Sequence, residues 1–247
     1  MIAVIDYGAG NLRNVCKALE RVGADLTLTD EPRALERADK LVLPGVGAFA
    51  DCQHGLKARG LFEPLRALAA AGKPLLGICV GMQLLFDVGE EMGEWEGLGL
   101  IPGRVVRFRF GQAGRATSSA GPPADPASSL PYSPLKVPHI GWNQLWLKQP
   151  GHTLLAGLGD GGYAYFVHSY HPRPQDPAHV LATTDYGYEF PSVVARGNVW
   201  GIQFHPEKSQ DVGLRMLRNF VQWSPAVEPV IGSGGPGRGH VYDLPRH

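Results

Sequence analysis

The run Leu75-Leu76-Gly77-Ile78-Cys79-Val80-Gly81-Met82-Gln83 is an apolar strand pattern that passes into a helix through Gly-x-Cys-x-Gly. A strand-to-helix turn of this kind holds its central residue in an unfavourable backbone conformation and needs small neighbours on both sides. Gly77 and Gly81 are those neighbours. A cysteine so placed projects clear of the sheet at a helix N-terminus, where unpaired N–H groups and the helix dipole favour thiolate over thiol. A second set lies far downstream in Gly201-Ile202-Gln203-Phe204-His205-Pro206-Glu207-Lys208. Pro206 biases His205 towards an extended conformation, and in extended chain positions i and i+2 share a side. His205 and Glu207 are therefore expected to act as a base and its orienting carboxylate. Taken singly, a cysteine is most often a core residue and His-Pro-Glu a surface turn. Both at strand ends of one chain supply nucleophile, base and orienter for acyl transfer through a covalent intermediate.

The surrounding sequence predicts the elements that must position them. Apolar runs alternate with helical periodicity through the first half, the order that builds parallel βαβ units. Strands are expected at Ile2–Ile5, Leu26–Thr29, Lys40–Leu43 and Leu75–Ile78. Helices are expected at Asn11–Val22, stopped by Gly23, at Leu61–Ala71, and again just after Cys79. Beyond Gly103 the pattern turns to period two, as in Val105, Val106, Phe108 and Phe110, and later in Tyr163–His168. Val199–Phe204 is a late strand and Ser209–Val221 a closing helix. The fold class is thus α/β, a mostly parallel central sheet flanked by helices, with additional strands in the C-terminal half. One domain is expected over 1–223. Gly111–Leu135 and Ser224–His247 are rich in Gly, Pro and small or charged residues. Neither can bury enough apolar surface to offset its ordering entropy, so both are expected to be mobile.

Composition excludes several classes. The chain has 247 residues, with 23 basic and 23 acidic side chains and a formal net charge of zero, so no excess positive field draws nucleic acid or an anionic membrane. Three cysteines without CxxC spacing give neither a disulfide scaffold nor a zinc site, and a reducing cytoplasmic setting is expected. Met1–Asp6 reads as a strand, without the basic start and apolar core of a signal peptide. Leu75–Phe86 is too short to span a bilayer. Cys16 and Cys52 fall in helical segments and are read as packing residues; His139 and His168 lack paired ligand spacing, so no metal is expected. No cofactor is expected either.

Gly77-Ile-Cys79-Val-Gly81-Met-Gln83 together with His205-Pro-Glu207 resembles the class I (triad) glutamine amidotransferases, and Pro44-Gly-Val-Gly47 resembles their oxyanion loop. Further segments narrow the likeness: Asp6-Tyr-Gly-Ala-Gly-Asn11, Pro44-Gly-Val-Gly-Ala-Phe49, Pro138-His-Ile-Gly-Trp-Asn143, Tyr165-Phe-Val-His-Ser-Tyr170 and Gln203-Phe-His-Pro-Glu-Lys-Ser209. With Met82 in the elbow, these are similar to the glutaminase subunits of imidazole glycerol phosphate synthase. The resemblance runs from Ile2 to about Val221, except for the insertion. It implies hydrolysis of glutamine to glutamate and ammonia, with Cys79 as nucleophile, His205 as proton carrier and Glu207 as orienter. It places oxyanion donors at the Val46–Gly47 turn and at Val80, whose N–H is all that is needed where a leucine is more usual. Gly45, Gln83, Glu91 and the Ser169–Tyr170 backbone are implied to contact glutamine. A separate (β/α)8-barrel cyclase is implied as the heterodimer partner, converting a phosphoribulosyl-formimino intermediate of histidine biosynthesis. Asn11, Trp142 and Lys208 are implied to lie near the docking face and Tyr165 near the ammonia exit.

Two other readings compete. Gly8-Ala-Gly10 after the first strand, with Asp30 further on, suggests a dinucleotide fingerprint, but Arg13 occupies the third glycine position and would obstruct helix–strand packing. A cysteine peptidase could reuse the elbow, but no peptide groove is evident in the sequence.

Overall fold

The strands around Cys79 are apolar but for Lys40 because they are buried on both faces, as central parallel strands must be. The computed structural model describes residues 1–110 and 135–224. Its first part is β1 (Ile2–Ile5), α1 (Leu12–Arg21), β2 (Leu26–Thr29), α2 (Pro32–Arg37), β3 (Lys40–Gly45), α3 (Phe49–Ala58), α4 (Phe62–Ala70), β4 (Leu75–Cys79) and α5 (Val80–Gln83). Then come β5 (Phe86–Gly89), β6 (Trp95–Glu96) and β7 (Ile101–Arg107). The rest is β8 (His139–Leu147), β9 (Gly162–His168), β10 (Tyr170–Pro174), β11 (Val180–Asp185), β12 (Glu189–Arg196), β13 (Val199–Ile202) and α6 (Gln210–Gln222).

A nine-stranded sheet runs in the order β2-β1-β3-β4-β13-β12-β11-β8-β9. Its first five strands pair in parallel, and from β13 onward every pairing is antiparallel. A smaller sheet, β10-β7-β5-β6, packs beside it. The α/β architecture expected from the sequence is present, with the parallel half holding the first-half strands and the late strand β13.

Three details go beyond the sequence expectations. β3 continues through Pro44 to Gly45, because its pairing with β1 stops at Val42 while that with β4 runs on. A proline without an N–H is tolerated where one edge of the strand is already open. The helix after Cys79 is a single turn, since the backbones of Leu84 and Leu85 are taken by Leu98, Leu100 and Ile101. The helical segment expected around Cys52 is α3, whose bounds the sequence left open because Gln53, His54 and Gly55 interrupt its apolar spacing.

Two lysines, buried Lys40 and half-buried Lys73, close helix ends in the parallel half. Lys40 Nζ donates to the Phe220 and Val221 carbonyls at 2.8 and 2.6 Å, and also to that of Trp223, capping α6. Lys73 does the same for α2 through the carbonyls of Leu35, Glu36 and Ala38. A cation there satisfies orphan carbonyls and complements the helix dipole. Among the described residues no helix is long and apolar enough to cross a membrane. The mobility expected of 111–135 and 224–247 concerns segments that lie, but for Leu135 and Ser224, outside the described residues.

Candidate active site

β3, β4 and β13 lie side by side, with Gly45 opposite Cys79 and Ile202 opposite Ile78. Their carboxyl ends open on one edge of the sheet, the usual place for ligands in open α/β folds. Cys79 ends β4 with φ 56° and ψ −114°, a strained conformation for a residue with a side chain. Close backbone packing enforces it. A Cβ on Gly81 would collide with the Leu43 carbonyl, and one on Gly45 would stand 2.5 Å from the Gly81 nitrogen. The elbow is clamped against β3, so these two glycines are required by space.

His205 follows β13 in extended conformation, φ −93° and ψ 99°. The contact with Glu207 arises differently from the extended-chain expectation: Pro206–Lys208 form one 3-10 turn that folds the carboxylate back onto the ring. His205 Nδ1 lies 2.9 Å from Glu207 Oε1. Because a carboxylate only accepts, Nδ1 carries the proton and Nε2 is left for the hydrogen bond with Cys79. The two side chains are 5% and 1% exposed. Burial pushes the His205 ring down, but hydrogen bonds to Cys79 and Glu207, with the attraction of their charges, outweigh it and raise its pKa to about 10. The His205 backbone is also tied down. Its N–H donates to the Tyr165 carbonyl at 3.0 Å, and its carbonyl accepts from Ser209 Oγ at 2.7 Å.

Val46, Gly47, Cys79, Val80 and His205 line a cavity of about 280 Å³. Gln83, Glu91, Ser169 and Tyr170 line the same cavity. Gly45 is not among its lining residues; it pairs with Cys79 on the neighbouring strand. Gln83 Nε2 donates to the Tyr170 carbonyl at 3.0 Å and to Gln203 Oε1 at 3.2 Å, which leaves its own Oε1 as an acceptor. Glu91 Oε2 accepts from the Phe49 N–H at 2.7 Å. A larger hollow of about 460 Å³ beside Arg21, Leu145 and Arg215 is lined by one carboxylate, Asp211, and by no thiol or imidazole.

The residues implied near a docking face separate. Trp142 is 46% exposed and meets Tyr165 edge to face, with Lys208 Nζ over the Tyr165 ring. Asn11 instead turns inward, and its Nδ2 donates to Glu207 Oε1 at 3.3 Å. Sequence reasoning also missed Tyr7 and Cys52. Tyr7 Oη donates to the Pro44 carbonyl at 2.6 Å and Cys52 Sγ to the Val46 carbonyl at 3.4 Å. Burial pushes the Cys52 thiol up to about 11, so it keeps the proton it donates. The carbonyls on either side of the Gly45–Val46 peptide are thereby held. No local signal announces these contacts, since Tyr7 meets a loop far along the chain.

A buried thiol, an imidazole and a carboxylate in series at adjacent parallel strand ends are the arrangement that cysteine-dependent acyl transfer on an α/β sheet would require. Residues 3–223 match the family described as glutamine amidotransferase class-I, and the chain belongs to that family. It is 50% identical over 220 residues to the imidazole glycerol phosphate synthase subunit HisH of Salinibacter ruber, covering 89% of this chain and 93% of that one. The HisH subunit of Chloroflexus aurantiacus is 49% identical over 231 residues, covering 93% and 99%. Within the class, the chain therefore falls among these synthase subunits. The fold matches a crystal structure of a glutamine amidotransferase with TM-score 0.64 at 21% identity over 90% of this chain and 99% of that one. It matches the structure of PurLQS from Thermotoga maritima with TM-score 0.61 at 18% identity, over 89% and 96%.

Proposed function

We propose that this enzyme hydrolyses L-glutamine to glutamate and ammonia at Cys79. It supplies the ammonia to the partner subunit of an imidazole glycerol phosphate synthase, a (β/α)8-barrel cyclase, in histidine biosynthesis. The observation that carries this reading is His205, held between Cys79 and Glu207 in the cavity that also contains Gln83, Glu91, Ser169 and Tyr170. The names of the half-identical relatives supply the synthase.

The chemistry follows from the geometry. Cys79 thiolate attacks the side-chain carboxamide carbon, forming a C–S bond and a tetrahedral oxyanion. The His205 imidazolium gives its Nε2 proton to the leaving nitrogen, the C–N bond breaks, and ammonia departs from a thioester. Neutral His205 then takes a proton from water as its oxygen attacks the thioester. Collapse of the second oxyanion expels the thiolate and leaves glutamate, with the proton back on His205. Glu207 holds the ring tautomer throughout, and Asn11 orients Glu207. The oxyanion needs two donors: the Val80 N–H at the start of α5, and the Val46 N–H on the turn next to Cys79. Gly45 permits the Gly45–Val46 peptide to rotate between its two held carbonyls. Such a turn can gate activity when the partner binds.

Trp142, Tyr165 and Lys208 form one cluster beside the base and mark the face towards the cyclase. Residues 1–223 serve as one amidotransferase domain. The test is steady-state glutamate release by the lone chain and by its complex with the cyclase, using the native protein and Cys79→Ala. Glutamate release that depends on Cys79 and rises in the complex is expected. Release by Cys79→Ala at the native rate would overturn the assignment.

A further inference from the structure

Behind the glutamine pocket lies a group of buried polar side chains that the hydrolysis steps do not use. His139 on β8 and His168 on β9 are cross-strand partners, 2% and 6% exposed. They are packed among Phe108, Phe166, Phe190 and Tyr186. Their hydrogen bonds run in one direction only. His168 Nδ1 lies 2.8 Å from the Tyr170 carbonyl, which can only accept, so Nδ1 holds the proton and Nε2 a lone pair. His139 Nδ1 lies 3.2 Å from that Nε2 and must therefore donate, which leaves His139 Nε2 as an acceptor. Asn143 Nδ2 lies 3.3 Å from it and donates there, while also donating to the Asp185 carbonyl at 2.7 Å. The Asn143 amide is set by a further contact, its Oδ1 accepting from the Gln144 N–H at 2.8 Å. Every proton in the series is thus assigned by its neighbours. Burial holds both rings neutral, pushing His139 down to about 4 and His168 to about 3.

The series ends on the residue that matters. The Phe108 N–H donates to the Ser169 carbonyl at 3.0 Å, which makes Tyr170 and Arg107 a non-hydrogen-bonded pair of the β7–β10 ladder. The N–H and C=O of Tyr170 therefore both point away from β7. Among the described residues two side chains hold that carbonyl, His168 and Gln83. Fixing it fixes the direction of the Tyr170 N–H on the same edge of the strand, and His168, Ser169 and Tyr170 all line the cavity.

We infer that Asn143, His139 and His168 form a directional chain of hydrogen bonds that positions the Tyr170 peptide for the carboxylate end of bound glutamine. This rests on the reading of the cavity as a glutaminase site. The three are positioning residues and touch none of the reacting atoms. Asparagine at 168 keeps a donor near the Nδ1 position, whereas phenylalanine keeps the shape and loses the donor. In Asn143→Asp the carboxylate can only accept, so it draws a proton onto His139 Nε2, and the neutral ring can then no longer donate to His168.

The test is glutamate release by the full chain in complex with its cyclase, with thermal unfolding as a control. His168→Phe is expected to raise KM for glutamine by roughly tenfold, the effect of one lost hydrogen bond to a buried carbonyl, with a much smaller change in kcat. His168→Asn should restore most of that loss, and Asn143→Asp should reproduce it from a distance. Long-range nitrogen–proton spectra of labelled histidine should show both rings neutral and protonated at Nδ1 in the native protein. A proton on Nε2 of either ring overturns the inference whatever the kinetics. So does an unchanged KM in His168→Phe, or an equal loss in His168→Phe and His168→Asn that follows unfolding temperature. Absence of glutamate release from the native complex overturns the glutaminase reading and this one with it. Normal native release with an unchanged KM in His168→Phe overturns this one alone.

Discussion

In the parallel half of the large sheet, β4 lies between β3 and β13 with every residue buried, and Cys79 is aimed by backbone packed on backbone. In the antiparallel half, β8 has Ile140 and Trp142 exposed and His139 buried, and the cavity wall is set by side-chain hydrogen bonds. The first arrangement fixes a reacting atom through contacts that tolerate no added methyl group. The second fixes a recognition surface through groups that can be exchanged for others of like polarity. Nucleophile and base need placement to a fraction of an ångström. A substrate carboxylate needs donors aimed at it, and polar chains supply that while leaving the outer face of the strand available to a partner.

If this contrast is correct, the largest effects belong to the parallel half. Cys79→Ala should lower glutamate release by about 10⁴-fold or more while the unfolding temperature stays near native, because the sulfur forms the thioester and the core loses only a small atom. A near-native rate would remove the nucleophile from Cys79. Val46→Pro is next in size. It deletes one N–H at the oxyanion turn and should lower kcat by roughly 10² to 10³ with KM little changed, since that donor acts on charge present only in the transition state. A loss confined to KM would show that the Val46 N–H contacts the ground state instead.

The third test sharpens the comparison through pH. His205 has its pKa raised to about 10 by Cys79 and Glu207 against the cost of burial, so the ring remains able to protonate the leaving nitrogen until pH rises through that value. The alkaline limb of kcat/KM should therefore lie far above the ordinary histidine range of about 6.5. Glu207→Gln removes the charge that favours the imidazolium, so the limb should move to lower pH and activity should fall about 10- to 100-fold, as for a lost hydrogen bond to a charged group. A limb that does not move would mean Glu207 orients the ring without stabilising its charge.

The same division explains what could be read from the chain. β1, β2 and β4 were legible as apolar runs, and the elbow was legible because its glycines fall within four residues of one another. That the Asn11 amide reaches Glu207 was not legible, because nothing local joins two residues so far apart in sequence. His139 and His168 were read only as lacking metal-ligand spacing, because their pairing lies in a cross-strand register that links segments distant in sequence. The helix after Cys79 was legible but its end was not, because Leu84 and Leu85 have helical propensity and only the tertiary pairing of their carbonyls with Leu98, Leu100 and Ile101 ends it after one turn.

The smallest expected effect tests whether side chains also matter in the half ruled by backbone. Tyr7 is 1% exposed, and its Oη donates to the Pro44 carbonyl at 2.6 Å, just ahead of the Gly45–Val46 peptide. Tyr7→Phe fills the same space and leaves that carbonyl without its donor. The cost should be about 1 to 2 kcal/mol of stability, read from denaturant midpoints at an unchanged slope. If the carbonyl also serves to hold the turn, glutaminase activity should fall about fivefold in kcat, because a looser turn presents the Val46 N–H for less of the time. Cys52→Ser offers the complementary change at the Val46 carbonyl, where a hydroxyl can replace the thiol as donor, and should be nearly silent. A stability loss in Tyr7→Phe without a loss in kcat would mean that the clamped glycines alone hold the turn. A loss of both would mean that the backbone-packed half relies on the same polar logic as its antiparallel neighbour.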